Sequence, residues 1–295
     1  MIKKNESVIL RDVELKNLTT FKVGGKAKYF TEIKDEKDIE HITEFLTNHE
    51  APVMFLGRGS NVLISDKGFN GLVIKSCYSK NPVVESNLIT FAAGYPLPRA
   101  AKDALKLSFT GFEWAIGVPG SIGGALPTNA GCHSQQTSDT FFSAKVFDIK
   151  NLTFKQLGKK DLHFCYRKSD LKDCYLVLSV THKFSHGDPN EIKKTMENYL
   201  NYRRVTQPRA KNAGSVFINP EGYFAGKLIE EAGLKGFVYK SARISPVHAN
   251  FIESLPNAKA SDIYDLIKIV QDKVLKMHAI ELKLEIKLYG FDDAN

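Results

Sequence analysis

The sequence predicts an α+β protein built from more than one domain, and three observations lead there. The chain has 295 residues, 43% of them apolar, which suits two or three cores better than one. A β-α-β pattern opens the chain, a mostly β stretch follows, and helices return towards the end. Two glycine-rich loops of similar chemistry, residues 56–63 and 111–131, interrupt that pattern.

The longer loop organises the rest. It carries six glycines and two prolines, yet its other residues are mostly apolar or small, so its backbone is expected to be buried against something. Glycines there let amide groups approach a ligand with no Cβ in the way. Successive free N–H groups make a concavity that suits a pyrophosphate. A structural turn is the bland alternative, and the second loop, Leu56-Gly57-Arg58-Gly59-Ser60-Asn61-Val62-Leu63, weakens it. Two such loops point to a long ligand with a diphosphate in its middle.

The elements follow in order. Residues 17–25 read as a strand ending at a glycine turn, and residues 35–47 as a helix with Ile39, Ile42 and Leu46 on one face. Residues 52–56 are a buried strand running into the Gly57–Asn61 loop, and residues 72–74 are another. That β-α-β unit is a plausible phosphate site, but it lacks the Lys-Ser/Thr pair of a P-loop. Strands at 83–84 and 88–93 flank a turn at Ser86-Asn87, and a helix at 97–107 tolerates Pro98 in its first turn. Further strands are expected at 141–148, 152–157 and 175–184, then a helix at 190–204 that Pro208 stops. The last third has a strand or turn at 214–217, a helix at 223–232 closed by Gly233, and an extended run at 244–252. Ser261 is placed to cap a helix carrying Ile263, Leu266, Ile267, Val270 and Val274, and a strand at 280–289 ends the pattern.

Composition narrows the function. The net charge of +8 comes from lysines spread along the chain, without a block of like charges, so it favours an anionic small molecule over nucleic acid. Four cysteines (Cys77, Cys132, Cys165, Cys174) lack metal-ligand spacing and are expected to be reduced thiols, with no metal. No apolar run follows Met1–Glu6 and none reaches spanning length, so a cytoplasmic protein away from membranes is expected.

Six ordered motifs then carry a resemblance. They are Asn17-x-Thr-Thr-Phe-x-Val-Gly-Gly, Leu56-Gly57-x-Gly59-Ser60-Asn61, Gly117-x-Pro119-Gly120-Ser121-x-Gly123-Gly124-Ala125, Tyr166-Arg167-x-Ser169, Gly214-Ser215-x-Phe217-x-Asn219-Pro220 and His248-Ala249-Asn250. Together they resemble the UDP-N-acetylenolpyruvoylglucosamine reductases, the MurB type, over about residues 15–290. The resemblance implies an FAD-binding fold of the vanillyl-alcohol-oxidase (PCMH) type in two subdomains, residues 1–76 and 77–208. A C-terminal α/β substrate-binding domain, residues 209–295, follows. It also implies noncovalent FAD, NADPH as co-substrate, and UDP-N-acetylglucosamine enolpyruvate as the compound reduced; a monomer is expected.

The same resemblance assigns residues. Gly57, Arg58, Gly59, Ser60, Asn61, Val118, Pro119, Gly120, Ser121, Gly123 and Gly124 would hold FAD. Ser215 would be the general acid, Arg167 would meet the substrate carboxylate, and Glu285 would complete the catalytic set, with Glu281 as the alternative. Tyr166, Arg203, Arg204, Asn219 and His248 would contact substrate. Arg203 and Arg204 also suit a helix end, where cations favour the dipole, and both are read as lying outside the two FAD loops. The chain departs from the family pattern at Cys132–Thr137 and at Leu282-Lys283-Leu284-Glu285-Ile286. With no insertion between Pro208 and Ser215, it resembles the shorter class that lacks an extra tyrosine-bearing loop. His133 is the only histidine near the loop that could carry a covalent flavin, as in oxidases of the same fold.

Overall fold

A computed structural model describes residues 9–291; the stretch 1–6, searched above for an apolar leader, lies outside them. The chain forms two compact units of interleaved segments. One takes Phe30–Arg58 and Gly71–Arg203, the other Arg11–Tyr29, Gly59–Asn70 and the chain from Arg204 onward. The sequence suggests three consecutive domains instead. The difference arises because two N-terminal segments join the C-terminal third, an association that no local pattern encodes.

The N-terminal elements are β1 (Leu10–Glu14), β2 (Lys26–Ile33), helix α1 (Asp38–Asn48), β3 (Val53–Leu56), β4 (Val62–Ile64) and β5 (Phe69–Ser76). Strand order in their sheet is β1-β2-β5-β3. β3 and β5 pair in parallel from Val53↔Leu72 to Leu56↔Lys75, with α1 as the crossover, so the expected β-α-β unit is present. Residues 17–25 are not a strand. A 3₁₀ turn at Lys16–Leu18 gives way to bends in which Thr19 Oγ1 donates to Val23 O at 3.0 Å. Phe21 is fully buried there, and that burial is what the apolar pattern was signalling.

Within the first unit, β6 (Val83–Glu85) and β7 (Leu88–Ala92) turn at Ser86, whose φ is 54°. They lie at one side of a five-stranded antiparallel sheet completed by Tyr175–Lys183, Phe141–Asp148 and Thr153–Gly158. Helices α2 (Leu97–Lys106), α3 (Ile122–Ala125), α4 (Thr137–Thr140) and α5 (Pro189–Thr206) belong to the same unit, α5 as far as Arg203. Phe91, Phe112, Trp114, Phe141, Val180 and Phe184 build its core. His182 is buried in that core, its Nδ1 2.9 Å from Thr140 Oγ1. Burial pushes its pKa down to about 3, so the ring is neutral.

The second unit packs α6 (Ala225–Glu231) and α7 (Ala260–His278) around Ile229, Ile244, Ile252, Ile263, Leu266 and Val270. Its sheet runs Val238–Tyr239, Ala242–Ile244, Ile252–Ser254, all antiparallel. Three expectations change here. The extended run at 244–252 is two strands and a tight connection, because Pro246 offers no N–H and Ser245 Oγ accepts from the Val247 amide. Ser261 does not cap α7. The Asp66 carboxylate does, accepting from the amides of Ala260 at 2.8 Å and Ser261 at 2.9 Å. The last strand shrinks to Lys287–Tyr289, parallel to β4, so Glu285 sits in a bend just before it.

Among the described residues no helix is long and apolar enough to cross a membrane. The four cysteines are free thiols, and no cluster of three or more His, Cys, Asp or Glu side chains could hold a metal among those residues.

Candidate active site

Gly57 and Ser121, one from each glycine loop, lie together in the first unit. A Cβ on Gly57 would lie 2.8 Å from Ser121 Oγ. Ser121 is the N-cap of α3, its hydroxyl accepting from the Gly124 amide at 3.3 Å. Gly59 sits at φ 65°, and a Cβ there would run into the Leu18 carbonyl, so only glycine fits. Among the described residues no group accepts from the amides of Gly57, Arg58, Gly59 or Gly120. Unclaimed amide donors in glycine-rich loops fit a dinucleotide pyrophosphate. Gly57, Arg58, Gly59 and Gly120 therefore suit FAD, whereas the amides of Val118, Gly123 and Gly124 already donate to Ala115 O, Ala93 O and Ser121 Oγ, so those three shape the loop rather than supply donors.

Arg167 occupies the turn of a two-residue hairpin, Phe164–Cys165 with Lys168–Ser169, at φ 59°. Its guanidinium lies 5.0 Å from the ring centre of Tyr166, which is half exposed. The hairpin is tied to the glycine-rich stretch by Asn129, a residue the sequence reading did not single out. Fully buried at φ 42°, Asn129 donates from Nδ2 to Cys165 O and to Gln136 Oε1, both at 3.0 Å. Its Oδ1 accepts from the Ser138 amide at 3.0 Å. The signal in the sequence was an Asn followed by Ala-Gly, a pairing that tolerates a left-handed backbone.

The atypical stretch at Cys132–Thr137 is a hairpin, Gly131–Cys132 with Gln135–Gln136, whose turn residues His133 and Ser134 have φ of 53° and 61°. His133 stacks on Tyr199 of α5, centroids 3.9 Å apart and planes 4° from parallel. Burial, then the neighbouring Arg203, keep this imidazole below its ordinary pKa. Arg203 corrects one expectation. A Cβ on Gly117 would meet Arg203 Cδ at 2.5 Å, so this side chain lies against the glycine-rich loop rather than outside it. Arg204, one position on, is exposed.

The second unit holds Ser215 and Glu285. Gly214 turns the chain at φ 77°, its amide donating to Asn212 Oδ1, and Ser215 follows, half-buried, in an isolated bridge with Phe251. The Glu285 amide donates to Val216 O at 2.8 Å, which sets the acid beside the serine segment. Asn61 reaches the same place from the Gly57–Asn61 loop: its Nδ2 donates to Glu285 O at 3.1 Å, and its carbonyl accepts from the Lys287 amide. Glu281 is exposed and stands earlier, outside the bend. Asn219 Oδ1 accepts from the Ala225 amide at 3.0 Å and so caps α6. His248 is half-buried, which depresses its pKa, and its Nδ1 accepts from the Asn250 amide at 3.2 Å.

The family described as "UDP-N-acetylenolpyruvoylglucosamine reductase, C-terminal domain" matches residues 207–289, and "FAD binding domain" matches residues 27–151. A UDP-N-acetylenolpyruvoylglucosamine reductase of Synechocystis sp. is 39% identical over 295 residues, 96% of this chain and 92% of the relative. One from Synechococcus sp. is 40% identical over 286 residues, 95% of this chain and 91% of the relative. The crystal structure of the MurB reductase of Thermus caldophilus matches with a TM-score of 0.84 at 33% identity, over 96% of this chain and 99% of that one. The fold is the FAD-binding one of the vanillyl-alcohol-oxidase type, joined to the reductase C-terminal domain. With likeness of this extent reaching from the glycine loops through Ser215 to the final strand, the chain belongs to the UDP-N-acetylenolpyruvoylglucosamine reductase family.

Proposed function

We infer that this protein is an FAD-dependent oxidoreductase that uses NADPH to reduce UDP-N-acetylglucosamine enolpyruvate to UDP-N-acetylmuramate, in peptidoglycan precursor synthesis. The observation that carries the reading is the Glu285 amide bonded to Val216 O at 2.8 Å, beside Ser215. It joins two residues of the motif set in one local structure.

The chain's residues divide the work. Gly57, Arg58, Gly59, Ser60 and Asn61, with Val118, Pro119, Gly120, Ser121, Gly123 and Gly124, would hold FAD. Held by these residues, FAD would supply the hydride chemistry that links NADPH to the third carbon of the enolpyruvyl group. Ser215 Oγ–H gives a proton to the second carbon; a hydroxyl is a weak acid and acts here because the acceptor is strongly basic. Arg167 faces the substrate carboxylate as charge grows on it, a task that suits a planar two-pronged donor. Glu285 belongs to the same proton-transfer set. Arg203 and Arg204 meet the UDP diphosphate, and Tyr166, Asn219 and His248 complete the substrate contacts. FAD is held without a covalent bond, His133 being stacked on Tyr199. The functional division stays with FAD-binding subdomains at 1–76 and 77–208 and a substrate-binding domain at 209–295. The protein works as a monomer in the cytoplasm.

One anaerobic titration tests this. NADPH should bleach the flavin absorbance, and the enolpyruvyl substrate should then restore it. Bleaching with no recovery, or bleaching by an alcohol in place of NADPH, would replace the reductase by an oxidase of the same fold.

A further inference from the structure

Asn250 is 4% exposed, and four of its polar groups have partners close to Ser215 and His248. Its carbonyl accepts from the Val216 amide at 2.8 Å. Its side chain pairs with both peptide groups of Phe217: Oδ1 accepts from the amide at 2.9 Å, and Nδ2 donates to the carbonyl at 2.8 Å. Its own amide donates to His248 Nδ1 at 3.2 Å.

This arrangement matters because the Ser215 segment has no sheet of its own. Among the described residues its backbone is held, besides Asn250, by the isolated bridges Ser215↔Phe251 and Phe217↔Leu284, with the Ile218 amide on Lys283 O and the Glu285 amide on Val216 O. A segment paired so briefly has weak register, and a one-residue slip turns every side chain to the opposite face. The Asn250 carboxamide supplies the pair of hydrogen bonds that a neighbouring strand would otherwise make. A serine misplaced by about 1 Å loses on the order of 10²-fold in rate. The fourth bond acts on His248: with Nδ1 accepting, the neutral ring carries its proton on Nε2 and presents an N–H donor there.

We propose that Asn250 is the positioning residue of the proton-delivery step: it sets the Ser215 hydroxyl against Glu285 and fixes the tautomer of His248. The proposal rests on the reading of Ser215 as the proton donor.

The test uses the holoenzyme in stopped flow. In Asn250→Ala, NADPH should bleach the flavin at the parent rate, whereas reoxidation by the enolpyruvyl substrate should slow by about 10–100-fold. The solvent-deuterium effect on reoxidation should rise, because proton transfer becomes the slow event. Asn250→Asp keeps the size and the acceptor but sets an oxygen against Phe217 O; it should slow the same step, and it serves if the alanine variant does not fold. Ser215→Ala run in parallel separates the two claims. If Ser215→Ala reoxidises at the parent rate, the reading of Ser215 falls and this proposal with it. If Ser215→Ala slows while the Asn250 variants do not, the positioning role alone is overturned. Equal loss of both half-reactions, or failure of both Asn250 variants to fold, would also overturn it and leave a residue of the fold.

Discussion

A β-carbon added to Gly57 would lie 2.8 Å from Ser121 Oγ, with no other non-neighbouring atom within 4 Å. Alanine at 57 must therefore turn the Ser121 hydroxyl away and uncap α3, at a cost of about 1 kcal/mol. Ser121→Ala loses the same cap but leaves room for the new methyl. The double variant should thus cost less than the sum of the singles, in thermal midpoint and in FAD retained per chain. Strict additivity would mean that the two loops do not depend on each other.

Ser215→Ala should separate the half-reactions. Flavin reduction by NADPH needs no proton on carbon and should persist. Reoxidation by the enolpyruvyl substrate should fall by about 10²–10⁴-fold. Ser215→Cys should recover part of that loss, since a thiol is the stronger acid, although its larger sulfur displaces the proton. Both steps appear in one stopped-flow absorbance trace, and an alanine variant with the parent's reoxidation rate would reduce Ser215 to a turn residue.

Arg203 and Arg204 should behave differently, although both are placed at the diphosphate. Each alanine variant should weaken substrate binding, by on the order of 1.5–3 kcal/mol for a lost charge-assisted hydrogen bond. Only Arg203→Ala should also shift the flavin spectrum, because only that side chain lies on Gly117. Titration of holoenzyme with UDP-N-acetylmuramate, followed at the flavin band, reads both effects. Identical spectra in the two variants would make the Gly117 contact immaterial.

His182 should make the protein acid-sensitive. Its folded pKa, about 3, lies below the ordinary 6.5, so the unfolded chain takes up the proton first. The stability it confers is complete above pH 6.5 and is lost as pH falls towards 3, at up to about 1.4 kcal/mol per pH unit. His182→Asn should flatten the fall in thermal midpoint between pH 7 and pH 5 (roughly the upper part of that window), while lowering the midpoint itself through lost packing against Phe112. An unchanged slope would place the acid sensitivity elsewhere.

How much was legible follows from the range of the interactions. Both glycine loops could be read because their requirement is local: Gly59 needs its own φ of 65°. The β3-α1-β5 unit and the periodic face of α7 are local too, and both appear where expected. Residues 17–25 and Glu285 carry a strand-like apolar pattern yet form no strand, because such a pattern reports burial, not the partner that supplies it. Leu284 is bridged to Phe217, far back in the chain, so the strand cannot extend through it. The motif His248-Ala249-Asn250 was visible, but only coordinates show that the asparagine side chain substitutes for a strand. Arg203 was placed by its helix, and its reach onto Gly117 had no trace in spacing.

Asp66 caps α7 across 194 positions of sequence, and β4, just before it, is the parallel partner of Lys287–Tyr289. A ribosome therefore releases the cap and the partner strand long before the helix and strand that need them. Until the final turn of the chain emerges, β4 has an open edge and Asp66 has no helix to terminate. Loop closure over such a span makes the last step slow and leaves the nascent chain exposed to aggregation. For the same reason the matched 207–289 stretch, made alone, would start α7 uncapped and end on an unpaired strand. The matched C-terminal stretch thus completes a compact unit whose first segments lie near the N-terminus.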